Sequence, residues 1–98
     1  MVVHVWYLSD IQSMDDFRAC NDLSFWAKRL AVKLCMLRRE RGYTQEYVAY
    51  TSGISTYTYQ KFEKGESKPG TPMNPRLSTL LTLASTFDVD VRELLTFE

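Results

Sequence analysis

The chain has 98 residues, a length that suits one domain. Hydrophobic residues make up 45% and charged residues 24%, which is typical of a globular protein and argues against global disorder. No apolar run is long enough to cross a bilayer, and the first residues lack the pattern of a secretion signal, so no membrane partner is expected. Cys20 and Cys35 have no metal-binding spacing, and we expect reduced thiols in a cytoplasmic protein.

Acidic and basic residues are equal in number, but they are unevenly distributed along the chain. Residues 28–76 hold ten basic and four acidic side chains, whereas residues 1–27 and residues 77–98 each hold one basic and four acidic side chains. A basic centre between acidic ends is compatible with a surface that faces phosphate. It is equally compatible with a solvated helix face, so charge alone leaves both interpretations open.

Residues 1–24 form an N-terminal extension that the sequence leaves undecided. Residues 2–8 are apolar, β-branched or aromatic apart from His4, and they fit a short strand or a flexible leader, while a short helix also remains open for the extension. We assign residues 25–98 to one helical domain.

The first helix of that domain is expected to begin at Asp22 or Ser24 and to end at Gly42. Its side chains repeat with helical period, so one apolar stripe faces the core while lysines and arginines take the other faces. The stripe is formed by Leu30, Leu34 and Leu37.

Residues 44–63 predict two short helices joined by a tight turn. Thr44 is expected to cap the first of them and Ser55 the second, because a hydroxyl can accept from a free N–H of the first turn. Gly53 can take the positive φ of the turn, and the small side chain of Ala49 lets the two helices approach. Such a helix-turn-helix can place its second helix in the major groove of DNA.

The remainder of the chain predicts a long loop followed by two further helices. Residues 65–75 contain all three prolines and two of the four glycines. Asn74 and Pro75 are expected to start a fourth helix, and Asp90 with Glu93 to form the capping box of a last short one. The expected core stripe of the fourth helix is Leu77, Leu80, Leu81, Ala84 and Phe87. The fold class predicted is therefore all-α, with five helices and no sheet.

These motifs resemble the lambda-repressor-like (Cro-type, or XRE) helix-turn-helix family. The residues that carry the resemblance are 42–49, 53–55, 62–65 with Pro69, and 80–84 followed by Phe87, Val89 and residues 93–95. It covers roughly residues 28–96 and implies a five-helix DNA-binding domain of a bacterial or phage regulator.

The resemblance also implies which residues contact DNA. Base reading falls on Thr56, Tyr57, Gln60 and Lys61, although Tyr57 could instead lie against the sugar-phosphate backbone. Phosphate binding falls on Thr44, Gln45, Arg41, Lys64 and Lys68. Similar proteins pair an arginine of the first helix with a glutamate that ends the reading helix. Arg38 and Glu63 hold those places, with a structural role favoured over direct DNA contact.

Two segments depart from the family pattern. The loop before Leu80 is longer than usual, so Arg76 could add a phosphate contact or the loop could bulge outward. Residues 1–24 have no counterpart in the minimal domain. Both departures leave dimer geometry and operator spacing undetermined.

We predict sequence-specific binding of double-stranded DNA by a small transcriptional regulator, with repression favoured and a homodimer as the binding form. An enzyme is not expected, because the chain has one histidine, no carboxylate pair set against a nucleophile and no phosphate loop. No cofactor or metal is expected either.

Two alternatives remain. The chain could be an antitoxin or co-regulator whose main role is to bind a protein partner such as a toxin, with residues 2–8 as the binding surface. Its tyrosines could also stack on single-stranded nucleic acid, but half-buried packing of Tyr47 and Tyr50 is the favoured explanation.

Overall fold

The structure is a computed structural model that describes residues 21–96. Within this range the elements are α1 (Leu23–Glu40), α2 (Gln45–Ser52), α3 (Thr56–Lys64), β1 (Glu66–Lys68), β2 (Thr71–Pro72), α4 (Leu77–Phe87) and a 3-10 helix (Val91–Leu95). The expectations for residues 1–20, including the strand or leader at 2–8 and the thiol of Cys20, lie outside the described residues. No helix of the described part is long and apolar enough to cross a membrane.

The long helix α1 supplies one wall of the core. Asp22 caps it, because its carboxylate accepts from the backbone N–H of Phe25 at 3.1 Å. The helix ends at Glu40, and Gly42 follows with a φ of +70°. The predicted leucine stripe is confirmed, since the buried residues of α1 are Ala27, Leu30, Ala31, Leu34 and Leu37.

Side-chain caps fix the start of both short helices. Thr44 Oγ1 accepts from the N–H of Tyr47 at 3.0 Å, and Ser55 Oγ accepts from the N–H of Thr58 at 3.0 Å. Each cap satisfies a donor that the first turn would otherwise leave unpaired. Both predicted caps are confirmed.

The turn between α2 and α3 depends on backbone conformation. Gly53 has a φ of +76°, a region that L side chains rarely adopt, although a Cβ there would meet nothing within 4 Å. Ala49 is 1% exposed, and its carbonyl accepts from the N–H of Ile54 at 3.0 Å. This fixes the direction in which α3 leaves the turn.

One core holds the helices together. α1 packs against α3 and the 3-10 helix, while α2 packs against α3 and α4. Tyr59 and Phe62 of α3 are buried as predicted. Met73, which the sequence placed in a loop, is 1% exposed and is one of the largest side chains in the core.

The segment predicted to be a loop contains a small antiparallel sheet, so the all-α assignment is wrong in this respect. Strands β1 and β2 pair with Glu66 opposite Pro72 and Lys68 opposite Thr71. The N–H of Met73 donates to the carbonyl of Gly65 at 3.0 Å and extends the pairing. The prolines in this segment favour a loop when only the sequence is considered. A strand at a sheet edge can nevertheless contain proline, because its N–H is not needed for pairing there.

The fourth helix differs from its prediction in two ways. It begins at Leu77 after Arg76, which makes no side-chain capping bond, so the Asn74–Pro75 start is wrong. Leu77 and Leu81 are 67% and 48% exposed, whereas Leu83 is fully buried. The sequence stripe therefore included two residues of a neighbouring, exposed face, because an i, i+4 pattern cannot tell which leucines face the core.

The last element is a 3-10 helix in place of the predicted fifth α-helix. Asp90 Oδ1 accepts from the backbone N–H of Arg92 at 2.8 Å, and its carboxylate also receives the Arg92 guanidinium. Because the carboxylate of Asp90 is committed to Arg92, the predicted Asp90–Glu93 capping box is not formed. Residues 21–96 thus contain four α-helices, a 3-10 helix and a two-stranded sheet.

Candidate nucleic-acid interface

Helix α3 buries one side and exposes the other. Tyr59 and Phe62 enter the core, while Tyr57 is 68% exposed and Lys64 is exposed. The outward-facing part has two sides with different chemistry. One carries carboxamide and carboxylate groups, the other carries lysines, and Lys64 borders both.

The first side is built on an ion pair between α1 and α3. Arg38 Nε donates to Glu63 Oε2 at 2.6 Å, and Arg38 Nη2 donates to Glu63 Oε1 at 3.1 Å. Arg38 Nη1 also donates to the carbonyl of Tyr43 at 3.1 Å. The two side chains are only 15% and 8% exposed. The hydrogen bonds from Arg38 to Glu63 raise the pKa of this arginine. The pair therefore ties α3 to the end of α1 and to the loop before α2.

Two glutamines extend this ion pair towards the surface. Gln45 Nε2 donates to Glu63 Oε1 at 2.9 Å, and Gln60 Nε2 donates to Gln45 Oε1 at 3.2 Å. We call Arg38, Glu63, Gln45 and Gln60 the polar relay. Sequence reasoning did not connect the glutamines to the ion pair. One signal in the sequence could have placed Gln60 near the ion pair: Gln60 and Glu63 lie three residues apart and share a helix face.

The groups around Glu63 stabilise its ionised form. Burial acts to raise the pKa of Glu63, but interactions with Arg38, Tyr59 and Gln45 outweigh it, and the pKa lies below its ordinary value. The hydroxyl of Tyr59 is buried beside this carboxylate without a hydrogen bond of good geometry. Burial, together with the nearby Glu63, raises the pKa of Tyr59. Glu63 is thus an ionised acceptor.

The second side of α3 is cationic. The ammonium of Lys61 lies 4.3 Å from the ring centroid of Tyr57, within the range of a cation–π contact. The hairpin brings Lys68 close to α3, and the two elements enclose a shallow depression. Its lining residues are Tyr57, Lys61, Lys64, Glu66, Ser67, Lys68 and Pro69. We call Lys61, Lys64 and Lys68 the lysine side.

Comparison with known proteins identifies the fold family. A family model of the Cro/C1-type helix-turn-helix DNA-binding domain matches residues 33–98. The chain belongs to this family. Its structure is similar to the restriction-modification controller protein C.AhdI from Aeromonas hydrophila, with 29% sequence identity and a TM-score of 0.61. That match covers 69% of this chain and 94% of C.AhdI. No curated protein sequence matches the chain.

The remaining residues predicted to contact DNA in this Cro/C1-type domain are not members of the polar relay, although Lys64 lines an open depression together with Gln45, Gln60 and Glu63. Thr44 uses its oxygen as an acceptor in the α2 cap, which leaves its hydroxyl proton available to a phosphate oxygen. Arg41 lies at the end of α1, with its guanidinium 3.8 Å from the carboxylate of Glu40. Thr56 is the first residue of α3, next to Tyr57, and Arg76 is exposed before α4.

Two tyrosines of the described residues, Tyr43 and Tyr47, pack against each other. Tyr43 packs on Tyr47 at a centroid distance of 4.6 Å and stacks on Phe87 at 6.3 Å. Tyr47 is half-exposed, but Tyr50 is 87% exposed, so the expectation of half-buried packing is wrong for Tyr50. Tyr50 and Tyr57 belong to different helices.

Proposed function

We propose that this Cro/C1-type DNA-binding regulator recognises a specific duplex sequence with α3 in the major groove and acts as a repressor. The observation that carries the proposal is the outward face of α3. A glutamine held by hydrogen bonds lies on one side, and lysines lie on the other. Base edges are read by groups in fixed positions, whereas phosphates need positive charge nearby. Its place of action would be the cytoplasm, where a bacterial or phage genome lies.

The residues divide by the part of DNA that they contact. We assign base reading to Thr56, Tyr57, Gln60 and Lys61; Tyr57 is exposed and the other three are partly exposed. We assign phosphate binding to Thr44, Gln45, Arg41, Lys64 and Lys68. Gln45 and Thr44 lie at the N-terminus of α2, where unpaired N–H groups and the helix dipole favour an anion. Arg38 and Glu63 have a structural role.

The experiment that tests this function is selection of binding sites from random duplexes. We expect one sequence to be enriched, and binding to it to weaken as salt rises. Gln45→Ala should then weaken binding to random DNA as well as to the selected sequence, because a phosphate contact carries no base information. Thr51→Ala, an exposed change at the far end of α2, is the matched control. Absence of any enriched duplex would refute the proposal.

A homodimer is the proposed binding form. Leu77 and Leu81 lie one turn apart on α4 and are 67% and 48% exposed, an apolar surface that a second copy could cover. Dimers with this motif read half-sites about 34–36 Å apart. Leu77→Lys should shift the protein towards monomer in sedimentation experiments, whereas Ser78→Lys on the same helix should not. A wild-type protein that sediments as a monomer at all concentrations would refute the dimer.

The likeness to C.AhdI favours one class of regulated genes. We propose that this chain, too, controls restriction-modification genes, and a reporter driven by the promoter of such genes would test this. Repression requires the reporter signal to fall when the protein is supplied. The rival role, an antitoxin or co-regulator, would be recognised by copurification of a second chain and by duplex binding that depends on that chain.

A further inference from the structure

The hydrogen bonds of the polar relay determine which end of each glutamine amide faces its neighbour, and this orientation bears on base recognition. We propose that Glu63 sets the hydrogen-bonding polarity of Gln60 through Gln45, so that Gln60 presents one donor and one acceptor and reads adenine in preference to guanine. In this proposal, which rests on the proposed DNA-binding function, Glu63 is a positioning residue that determines specificity without contacting a base.

The first step is the contact between Glu63 and Gln45. An ionised carboxylate can only accept hydrogen bonds, and Glu63 already receives two from Arg38. The two ends of a glutamine amide are nearly equal in shape, so the partner decides which end faces it. At 2.9 Å from Glu63 Oε1, only the NH2 end of Gln45 is compatible with the carboxylate. The opposite orientation would set two acceptors against each other in a partly buried place.

The second step passes this orientation to α3. With its NH2 group on Glu63, Gln45 turns its carbonyl oxygen towards Gln60. That oxygen needs a donor, so the NH2 end of Gln60 faces it, at 3.2 Å. The carboxylate of Glu63 therefore fixes the orientation of two amides in turn, although Glu63 and Gln60 themselves share no hydrogen bond in the described residues.

The third step concerns what remains free on Gln60. One N–H is used on Gln45, which leaves the second N–H and the carbonyl oxygen. In the major groove adenine offers an acceptor at N7 and a donor at N6, while guanine offers acceptors at both N7 and O6. The free groups of Gln60 match adenine with two hydrogen bonds and can make only one to guanine. A glutamine free to rotate would make this distinction less strictly.

The test uses Glu63→Gln in the full chain, with binding measured on duplexes that differ at the single base pair assigned to Gln60. The amide of this variant can donate or accept, so Gln45 is no longer restricted to one orientation. We expect wild-type protein to prefer adenine to guanine at that position by about five- to 150-fold, the range of a good two-bond contact. In the variant this preference should fall several-fold, while preferences at other positions remain unchanged.

A double variant separates this effect from a general disturbance of α3. In a Gln60→Ala background, Glu63→Gln should produce no further change in preference at that base pair, because the residue it positions is gone. An equal loss of affinity for all sequences would show that Glu63 supports only the fold or a phosphate contact, and would overturn the proposal. An unchanged preference at the base pair would also overturn it.

NMR on the wild-type protein without DNA provides a measurement that no folding defect of a variant can obscure. The side-chain NH2 protons of Gln45 and Gln60 should exchange slowly with water, and the Gln60 NH2 protons should show contacts to Gln45. Averaged, rapidly exchanging side chains would overturn the relay. If the relay is ordered but no duplex binds, the DNA function fails and the proposed base preference fails with it, while the polarity set by Glu63 still stands.

Discussion

The two sides of α3 differ in how their side chains are held before any DNA arrives. On one side, Gln60 is joined to Gln45, Glu63 and Arg38 by continuous hydrogen bonds. On the other, Lys61 has a ring contact with Tyr57, and Lys64 and Lys68 extend into the exposed depression beside the hairpin. One side is joined by continuous hydrogen bonds, and the other is cationic and has no such chain of hydrogen bonds among the described residues.

This difference suits two tasks. A side chain already held in position loses little conformational freedom when it meets a base, so its hydrogen bonds can discriminate between bases. A flexible lysine discriminates little, but its charge attracts any phosphate and releases counterions from DNA. We therefore expect changes on the polar relay to alter stability and specificity, and changes at Lys64 and Lys68 to alter mainly affinity and its dependence on salt.

The largest effect is expected from Arg38→Ala. This change leaves the carboxylate of Glu63, whose side chain is 8% exposed, without its ionic partner. Removing one member of a fully buried pair costs about 3–5 kcal/mol, and we expect about 2–3 kcal/mol here because Arg38 keeps some contact with solvent. Denaturant unfolding measures the loss. Arg39→Ala, at the exposed neighbouring position, is the control, and equal stability of the two variants would contradict the structural role.

Low pH should reduce the stability that the polar relay contributes. The loss should be smaller than that caused by Arg38→Ala, because a protonated carboxyl can still form hydrogen bonds. The pKa of Glu63 is lower in the folded protein than in an unfolded chain, so the stability that this group contributes is present at neutral pH. It declines as the pH falls below the unfolded pKa of about 4.3 and is lost below the folded pKa. Unfolding measured from pH 7 to pH 3 should show this component in wild-type protein.

Two variants isolate the contribution of Glu63 from that of other carboxylates. Glu63→Gln should lack the component and show a shallower loss of stability in acid. Glu46→Gln, at an exposed position in the first turn of α2, should retain it. Superimposable pH profiles for wild type and Glu63→Gln would show that Glu63 titrates alike in the folded and unfolded states.

Lys61 tests whether the lysine side contains a base reader. Lys61→Ala should relax preference at one base position by about 1–3 kcal/mol, because a lysine that reaches guanine O6 and N7 distinguishes it from other bases. Thr51→Ala, an exposed change outside the proposed interface, is the control. A uniform loss of affinity across all sequences would mean that Lys61 binds phosphate alone.

The features of this domain also differ in how far the sequence predicted them. Thr44, Gly53 and Ser55 act through their own neighbours, so the caps and the turn could be inferred from local chemistry. Tyr59 and Phe62 are buried as their spacing predicts. The sequence also placed Arg38 opposite Glu63 through the family resemblance. Local rules thus predicted the helix-turn-helix well, but they failed at the Asn74–Pro75 start and at the Asp90–Glu93 capping box.

Features that depend on several segments meeting in space were missed. The link from Glu63 to Gln45 requires α2 and α3 to cross so that an amide reaches a carboxylate, which spacing along one helix cannot specify. The hairpin at 66–72 pairs two strands too short for a periodic signal, with prolines that favour a loop. The exposure of Leu77 depends on which face of α4 meets α2 and the 3-10 helix.

The smallest expected effect comes from the hairpin that the sequence did not predict. If Lys68 contacts phosphate, Lys68→Ala should weaken binding equally on specific and random DNA and reduce the slope of log affinity against log salt by about 1. Over a four-fold change in salt this alters affinity by only about three- to four-fold, so the slope is the better measurement. Arg92→Ala is the control, since its guanidinium is paired with Asp90 on the 3-10 helix. An unchanged slope for Lys68→Ala would remove the hairpin from the interface and confine the cationic side of the domain to α3.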